Sequence, residues 1–452
     1  LYKLTCEKKY LDFAEYIVST GGTSVENVFE LAYEDKLYPY QYPVTKAYEM
    51  TSCFEGLLEY YLVAGGEKYK TAIINYANKI LESDFTVIGC AGCTHELFDH
   101  SSVRQANTTN GKIMQETCVT VTLMKFMYEL TMLTGNSKYA DAFERSLYNA
   151  YWGAINTEGS VERTIKEKFP DAVIEPLPFD SYSPLTAGTR GNGVGGLLLM
   201  PDNHYFGCCA CIGAAGAGLI PKMALMHTGN GVVFNLFING VFDTVTPSGK
   251  RMRVVMRTGY PADGKVAIKF ELNEAEEFEV LLRNPCWSKT TRATLNGEEI
   301  SVCDGYIKIA GKRTSSDEII IETDMRTRLQ KPKAYGSQVL MNKVIWGANY
   351  IVPTFDEEDP LASKHIALQR GPIVLAAENR LGYSVDSPFD IKVSDNGYVE
   401  AHIPESPKAP FESIIELEIP KKSGGYFTVT DYASAGKLWN EESKMAAWIL
   451  AD

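Results

Sequence analysis

Ten cysteines sit in this chain of 452 residues, and three of them, Cys208, Cys209 and Cys211, fall within four positions. Adjacent thiols satisfy disulfide geometry with difficulty, whereas thiolates gathered with a carboxylate suit a soft divalent metal. A carboxylate and a further thiol stand together in Glu116-Thr117-Cys118. With Glu116 and Cys118 at the start of one helix and two thiolates before another, three sulfurs and one carboxylate complete a tetrahedral zinc shell. The candidate ligands are therefore Glu116, Cys118, Cys208, Cys209 and Cys211, with zinc as the cofactor. Buried free cysteine is the competing reading.

Three further groupings could carry chemistry. Cys90-Ala91-Gly92-Cys93 has the spacing of a metal or redox pair, or of ordinary packed loop cysteines. Directly after it, Thr94-His95-Glu96-Leu97-Phe98-Asp99-His100 sets Glu96 among apolar neighbours, the setting of a general acid, although a capping or solvated glutamate reads the same way. Tyr205, Phe206, Trp439 and Trp448 offer rings on which a sugar can stack, or simply core.

These residues need elements to hold them. Leu57 to Ala64, a Gly65-Gly66 stop and a new start at Lys68-Tyr69 read as a helical hairpin, and the plan recurs from Phe126 through Gly135-Asn136 to Tyr139. A weaker copy precedes both at Tyr16 to Gly22. Repeated hairpins cover one another's apolar faces by closing into a toroid, so residues 1–230 predict an (α/α) barrel. From Gly231 the apolar period becomes two, with short runs such as Arg251 to Met256, Lys265 to Leu272 and Glu318 to Glu322 between turn residues. These predict a β-sandwich over 231–350 and a second over 351–435. Lys437 to Leu450 reads as helical, and 436–452 is expected to return to the barrel. The fold class is thus multidomain α+β.

Composition narrows the partners. With 44 basic against 57 acidic residues the net charge is −13, which repels nucleic acid and anionic lipid. No run reaches the roughly 20 apolar residues of a membrane span. Cysteines at this density, unpaired in pattern, point to a reducing, cytoplasmic setting.

Taken together, Gln115-Glu116-Thr117-Cys118, Leu133 to Asp141, Glu144 to Asn149, Leu282 to Trp287, Leu295 to Glu298 and Gln369 to Val374 resemble glycoside hydrolase family 127, the zinc-containing β-L-arabinofuranosidases with a cysteine nucleophile. The resemblance implies an (α/α)6 catalytic barrel followed by β-sandwiches, and retention of configuration through a cysteinyl-sugar intermediate. It implies Glu116 and Cys118 as zinc ligands, Glu96 as acid/base, Cys208 as nucleophile and Cys209 as pure ligand. A shifted register would instead make Cys211 a ligand and leave Ala210 at the nucleophile's place. Family members carry barrel helices ahead of anything matching here, so the chain is expected to be N-terminally incomplete: either another chain or a homo-oligomer supplies the helices, or the sequence is a fragment or a degenerate homologue.

The reading that follows is an exo-acting glycosidase on an L-arabinofuranoside or related plant-derived sugar, its partner a small oligosaccharide or glycoside. A catalytically inactive, zinc-stabilised sugar-binding or scaffold subunit is the rival, and would bind sugar without turnover. A metallo-lyase or epimerase on the same toroid would betray itself by its products.

Overall fold

Three of the helices end where glycine lets the chain reverse. Helix α1 (Lys8–Thr20) stops at Gly21, and α2 (Val28–Glu34) starts from Asn27, whose side chain accepts from the Phe29 and Glu30 amides. Helix α3 (Ala47–Ala64) halts at Gly65 and α4 (Glu67–Ser83) follows Gly66. Helix α5 (Thr117–Thr134) closes on Gly135 in the left-handed conformation, and the Asn136 side chain caps α6 (Ser137–Arg145). Both expected hairpins are therefore present, and Tyr139 of the second donates its hydroxyl to Asn78 of the first at 3.0 Å. The computed structural model describes residues 1–94, 96–106, 114–155, 167, 169–171, 179–190, 198–199, 205–333, 341–345, 348–352 and 361–452. Among them no helix is long and apolar enough to cross a membrane.

Helix α5 is buried along most of its length, and α7 (Cys208–Ala217) packs on it. The approach is possible because residue 216 is glycine: a Cβ there would lie 2.5 Å from the Tyr151 ring and 3.0 Å from Val121.

Beyond α7 and one further short helix, Leu219–Ala224, the chain is mostly strand. Leu225–Thr228, Gly231–Phe234, Glu279–Asn284 and Gly305–Ile309 form a four-stranded sheet. Gly240–Val245, Arg251–Thr258, Lys265–Leu272, Glu318–Glu322, Arg292–Leu295 and Glu298–Glu299 form a six-stranded one. Alternate residues of the larger sheet, among them Val254, Ile268, Phe270 and Ile321, are buried with Val280, Leu282 and Ile307 of the smaller. Phe234 and Phe270 meet edge to face across the gap at 6.4 Å.

A further sheet of eight strands has its own core of Leu368, Leu375, Phe389, Leu417, Phe427 and Val429. Its boundary corrects the sequence reading. Thr327–Gln330, expected in the first β domain, pairs with His365–Arg370 of this later sheet, a choice of partner that no local run of residues encodes. Leu225–Thr228 likewise joins the strands earlier than residue 231.

The expected helix over 437–450 is also corrected. Met445–Ala446 and Ile449–Leu450 are short strands paired to Ile373–Glu378 and His365–Arg370. The five consecutive residues from Met445 to Ile449 are all buried, which suits a strand covered on both faces rather than a one-sided helix. On their other side Ala447 and Trp448 donate to the Leu185 carbonyl at 3.0 and 2.9 Å, and Met445 exchanges backbone bonds with Gly188. Residues 436–452 thus touch the early part of the chain as strands, not as a helix.

Two joints tie strands to helices. Arg283, wholly buried, ion-pairs with Asp141 and Glu144 of α6 and donates to the Asn235 carbonyl at 2.6 Å. Asn149 donates to the Pro372 carbonyl at 2.9 Å and accepts from the Val374 amide at 2.7 Å.

Candidate functional site

Glu116 ends a three-residue strand, Met114–Glu116, paired with Tyr182–Pro184 in a register that sets Glu116 against Tyr182. It is also the residue preceding α5, so Cys118 lies in the first turn of that helix. Thr117 fixes the corner, its amide donating to the Ser181 carbonyl at 2.9 Å and its hydroxyl to the Asp180 carbonyl at 2.6 Å. Cys208 and Cys209 open α7 after Gly207.

The packing of α7 on α5 gathers ligand atoms of Glu116, Cys118, Cys208 and Cys209 within 4.8 Å of one another. Cys118 and Cys209 sulfurs are 3.3 Å apart, Cys208 and Cys209 sulfurs 4.0 Å, and Cys209 Sγ lies 3.7 Å from Glu116 Oε1. A tetrahedral ion with metal–sulfur bonds of about 2.3 Å sets sulfurs about 3.8 Å apart. Cys211 stands outside the group and is exposed. Two residues along a helix turn the side chain by about 200°, so with Cys209 facing inward Cys211 faces away.

Electrostatics agree with a cation-holding role. Burial pushes Glu116 up to about 8, with the charges of Glu96 and Cys208 adding to it. Its Oε2 is buried without a hydrogen-bond partner. Cys208 is held well below the ordinary thiol range by hydrogen bonds from Cys118 and Cys209, and it begins a helix, where the dipole favours a thiolate. Cys118 and Cys209 are pushed up, Cys118 first by its hydrogen bonds to the neighbouring sulfurs. A buried, orphaned carboxylate oxygen beside thiols that share protons is a donor set suited to one soft divalent ion. Of the four residues only Cys208 is exposed.

Glu96 sits on the loop between α4 and α5 with φ 61°, unusual for a residue with a side chain. Gly92 makes room for it, since a Cβ at that position would lie 3.0 Å from the Glu96 carbonyl carbon. Both carboxylate oxygens are engaged, Oε2 by the Lys46 ammonium and Oε1 by the Tyr182 hydroxyl. Neither partner was identified from sequence. Lys46 precedes α3 by one residue and Tyr182 lies 86 positions after Glu96, so no local pattern joins them.

The remaining candidates separate. Cys90 and Cys93 are buried free thiols, Cys90 pushed up to about 12 by burial. Cys90 donates to the Ala91 carbonyl at 3.4 Å, and Gln115 reaches Cys93 at 3.7 Å, so they pack the loop beneath the site. Asp99 is buried, and the His100 ring stacks on Tyr40 at 4.6 Å. His95 lies outside the described residues, as do the side chains of Tyr205 and Phe206. Trp448 is core, its indole N–H on Gln105 Oε1 at 3.2 Å, and Trp439 is half-buried.

Residues 1–163 match the family model described as β-L-arabinofuranosidase, GH127 catalytic domain, and residues 231–325 match that of the GH127 middle domain. Among solved structures, a GH127 β-arabinofuranosidase superposes with TM-score 0.66 at 20% identity, covering 100% of this chain and 67% of its own. A GH127 β-L-arabinofuranosidase from Geobacillus stearothermophilus T6 gives TM-score 0.67 at 17% identity, covering 100% of this chain and 71% of its own. A third, described as a glycoside hydrolase, gives 0.64 at 17% identity with coverages of 100% and 73%. At such identities the likeness speaks to fold. No curated protein matches the chain.

Proposed function

Because the chain belongs to the GH127 β-L-arabinofuranosidase family and is a glycoside hydrolase, we propose that it is a retaining, exo-acting enzyme on β-L-arabinofuranosides or a related plant-derived sugar. Cys208 is its nucleophile, Glu96 its acid/base, and Glu116, Cys118 and Cys209 hold zinc together with Cys208. The helices belong to an (α/α)6-type barrel, and the paired sheets after it to β-sandwich modules. The observation that carries this reading is the exposed Cys208 at the head of a helix, over three buried donor residues.

In the first step the Cys208 sulfur forms a bond to the anomeric carbon as the bond to the leaving oxygen breaks. Glu96 gives that oxygen its proton. In the second, water attacks the same carbon, Glu96 takes the water's proton, and the carbon–sulfur bond breaks with its electron pair returning to Cys208. Zinc, when bound, supplies the positive charge that keeps thiols ionised at neutral pH. Glu116 and Cys118 come from one end of α5 and Cys209 from the head of α7, so the fold itself holds the nucleophile still.

A cysteine-reactive arabinofuranosyl mimic, followed by peptide mass mapping, tests the assignment. The label is expected on Cys208, with turnover abolished in Cys208→Ser. Labelling of Cys211, or turnover surviving in Cys208→Ser, overturns it.

A further inference from the structure

Glu96 alternates between giving and taking a proton, and we propose that Lys46 is a positioning residue that serves the giving half alone. The inference rests on the assignment of Glu96 as acid/base.

The main chain delivers Lys46 to Glu96. The Ala47 amide donates to the Glu96 carbonyl at 2.9 Å and the Phe98 amide to the Thr45 carbonyl at 2.7 Å, a short antiparallel bridge that sets Lys46 against Leu97. The ammonium then closes on Glu96 Oε2. The two side chains are only 13% and 21% exposed, so water screens the pair weakly. Tyr182 occupies the other oxygen, and its own strand is the ladder partner of Glu116, so the loop of Glu96 is tied to both the ligand strand and the start of α3.

The two chemical steps use this arrangement in opposite senses. As the leaving oxygen takes its proton, negative charge develops on the Glu96 carboxyl, and a fixed ammonium beside Oε2 stabilises that charge more in the transition state than before it. When water is deprotonated the carboxylate loses charge, and the same ammonium works against the step. Lys46 therefore favours expelling poor leaving groups and not hydrolysing the sugar–cysteine bond. Nothing on Lys46 reacts, and its effect passes wholly through Glu96.

The test compares parent, Lys46→Met, Lys46→Arg and Glu96→Gln on a nitrophenyl and on a simple alkyl β-L-arabinofuranoside, with zinc content measured for each. Lys46→Met is expected to lower kcat/KM on the alkyl glycoside about tenfold or more, to lose markedly less on the nitrophenyl glycoside, and to keep the metal. Lys46→Arg should recover part of the loss. An equal loss on both substrates, loss of the metal, or no loss overturns the proposal. If Lys46→Met does not fold, Lys46→Gln is read in the same way. Glu96→Gln at parental rate on the alkyl glycoside, or a parent without turnover, overturns the assignment of Glu96 itself. A leaving-group-dependent loss in Glu96→Gln with none in Lys46→Met overturns only the role of Lys46.

Discussion

Replacing Arg283 by methionine removes a guanidinium that has no contact with water and leaves its anionic partners in place. Its partner Glu144 is 1% exposed and Asp141 11%. Glu144 would keep the Trp287 indole N–H, at 3.1 Å, and the Tyr260 hydroxyl, both neutral donors facing a full charge. Breaking one side of a buried pair costs about 3–5 kcal/mol. Asp141 reaches solvent and relaxes, so Glu144 dominates and Arg283→Met is expected to cost about 3–4 kcal/mol. Adding Glu144→Gln removes the stranded charge, its amide oxygen accepting from the Trp287 indole N–H and its NH2 donating to the Tyr260 hydroxyl oxygen, and should restore about half of that loss. Urea unfolding followed by tryptophan fluorescence reads both, since Trp287 lies in the network. A single variant losing less than about 1 kcal/mol, or a double variant no better than the single, refutes the charge argument. The second outcome would assign the cost to packing.

Elemental analysis should find about one zinc per chain, with Cys118→Ser losing it and Cys211→Ser retaining it, because only the former lies within the gathered donors. His100 is held down to about 4 by burial, with the charges of Lys333 and Arg104 adding to it. The unfolded chain therefore binds a proton near pH 6.5 that the folded one refuses until about 4, so stability present above pH 6.5 is lost as the pH falls toward 4, by about 2 kcal/mol after allowing for partial exposure. His100→Asn, which tolerates the left-handed backbone at φ 65°, should flatten that dependence in denaturant titrations from pH 7 to 4. Gly92→Ala forces a Cβ against the Glu96 main chain and should lower kcat about tenfold or more with zinc content unchanged.

What could be read from the sequence was what neighbouring residues decide among themselves. Gly65-Gly66 and Gly135-Asn136 announce their turns because a helix end needs left-handed backbone or a side-chain cap. Adjacent Cys208 and Cys209 with Glu116-Thr117-Cys118 announce a donor set by residue type alone. The unread part is made of long-range choices. Thr327–Gln330 has strand character wherever it pairs, and its partner at His365–Arg370 follows only from the assembled sheet. Met445 to Ile449 is apolar enough for helix or strand, and the open edges of two hairpin strands decide the matter. Lys46 and Tyr182 belong to separate segments, and only the folded chain shows that both end on Glu96.

The backbone bridge between Gly188 and Met445 also carries a timetable. Gly188 lies in the segment that follows Tyr182–Pro184, the strand paired against Glu116, while its partner is made far later in translation. At roughly 5–20 residues per second the interval is on the order of 10–50 s. Throughout it the Leu185 carbonyl, which finally accepts from both Ala447 and Trp448, faces a nascent chain that cannot yet satisfy it. A growing polypeptide in that window presents an unfinished edge to chaperones and to its neighbours on the polysome, and closure of the segment beside Glu116 waits for the arrival of those few late residues.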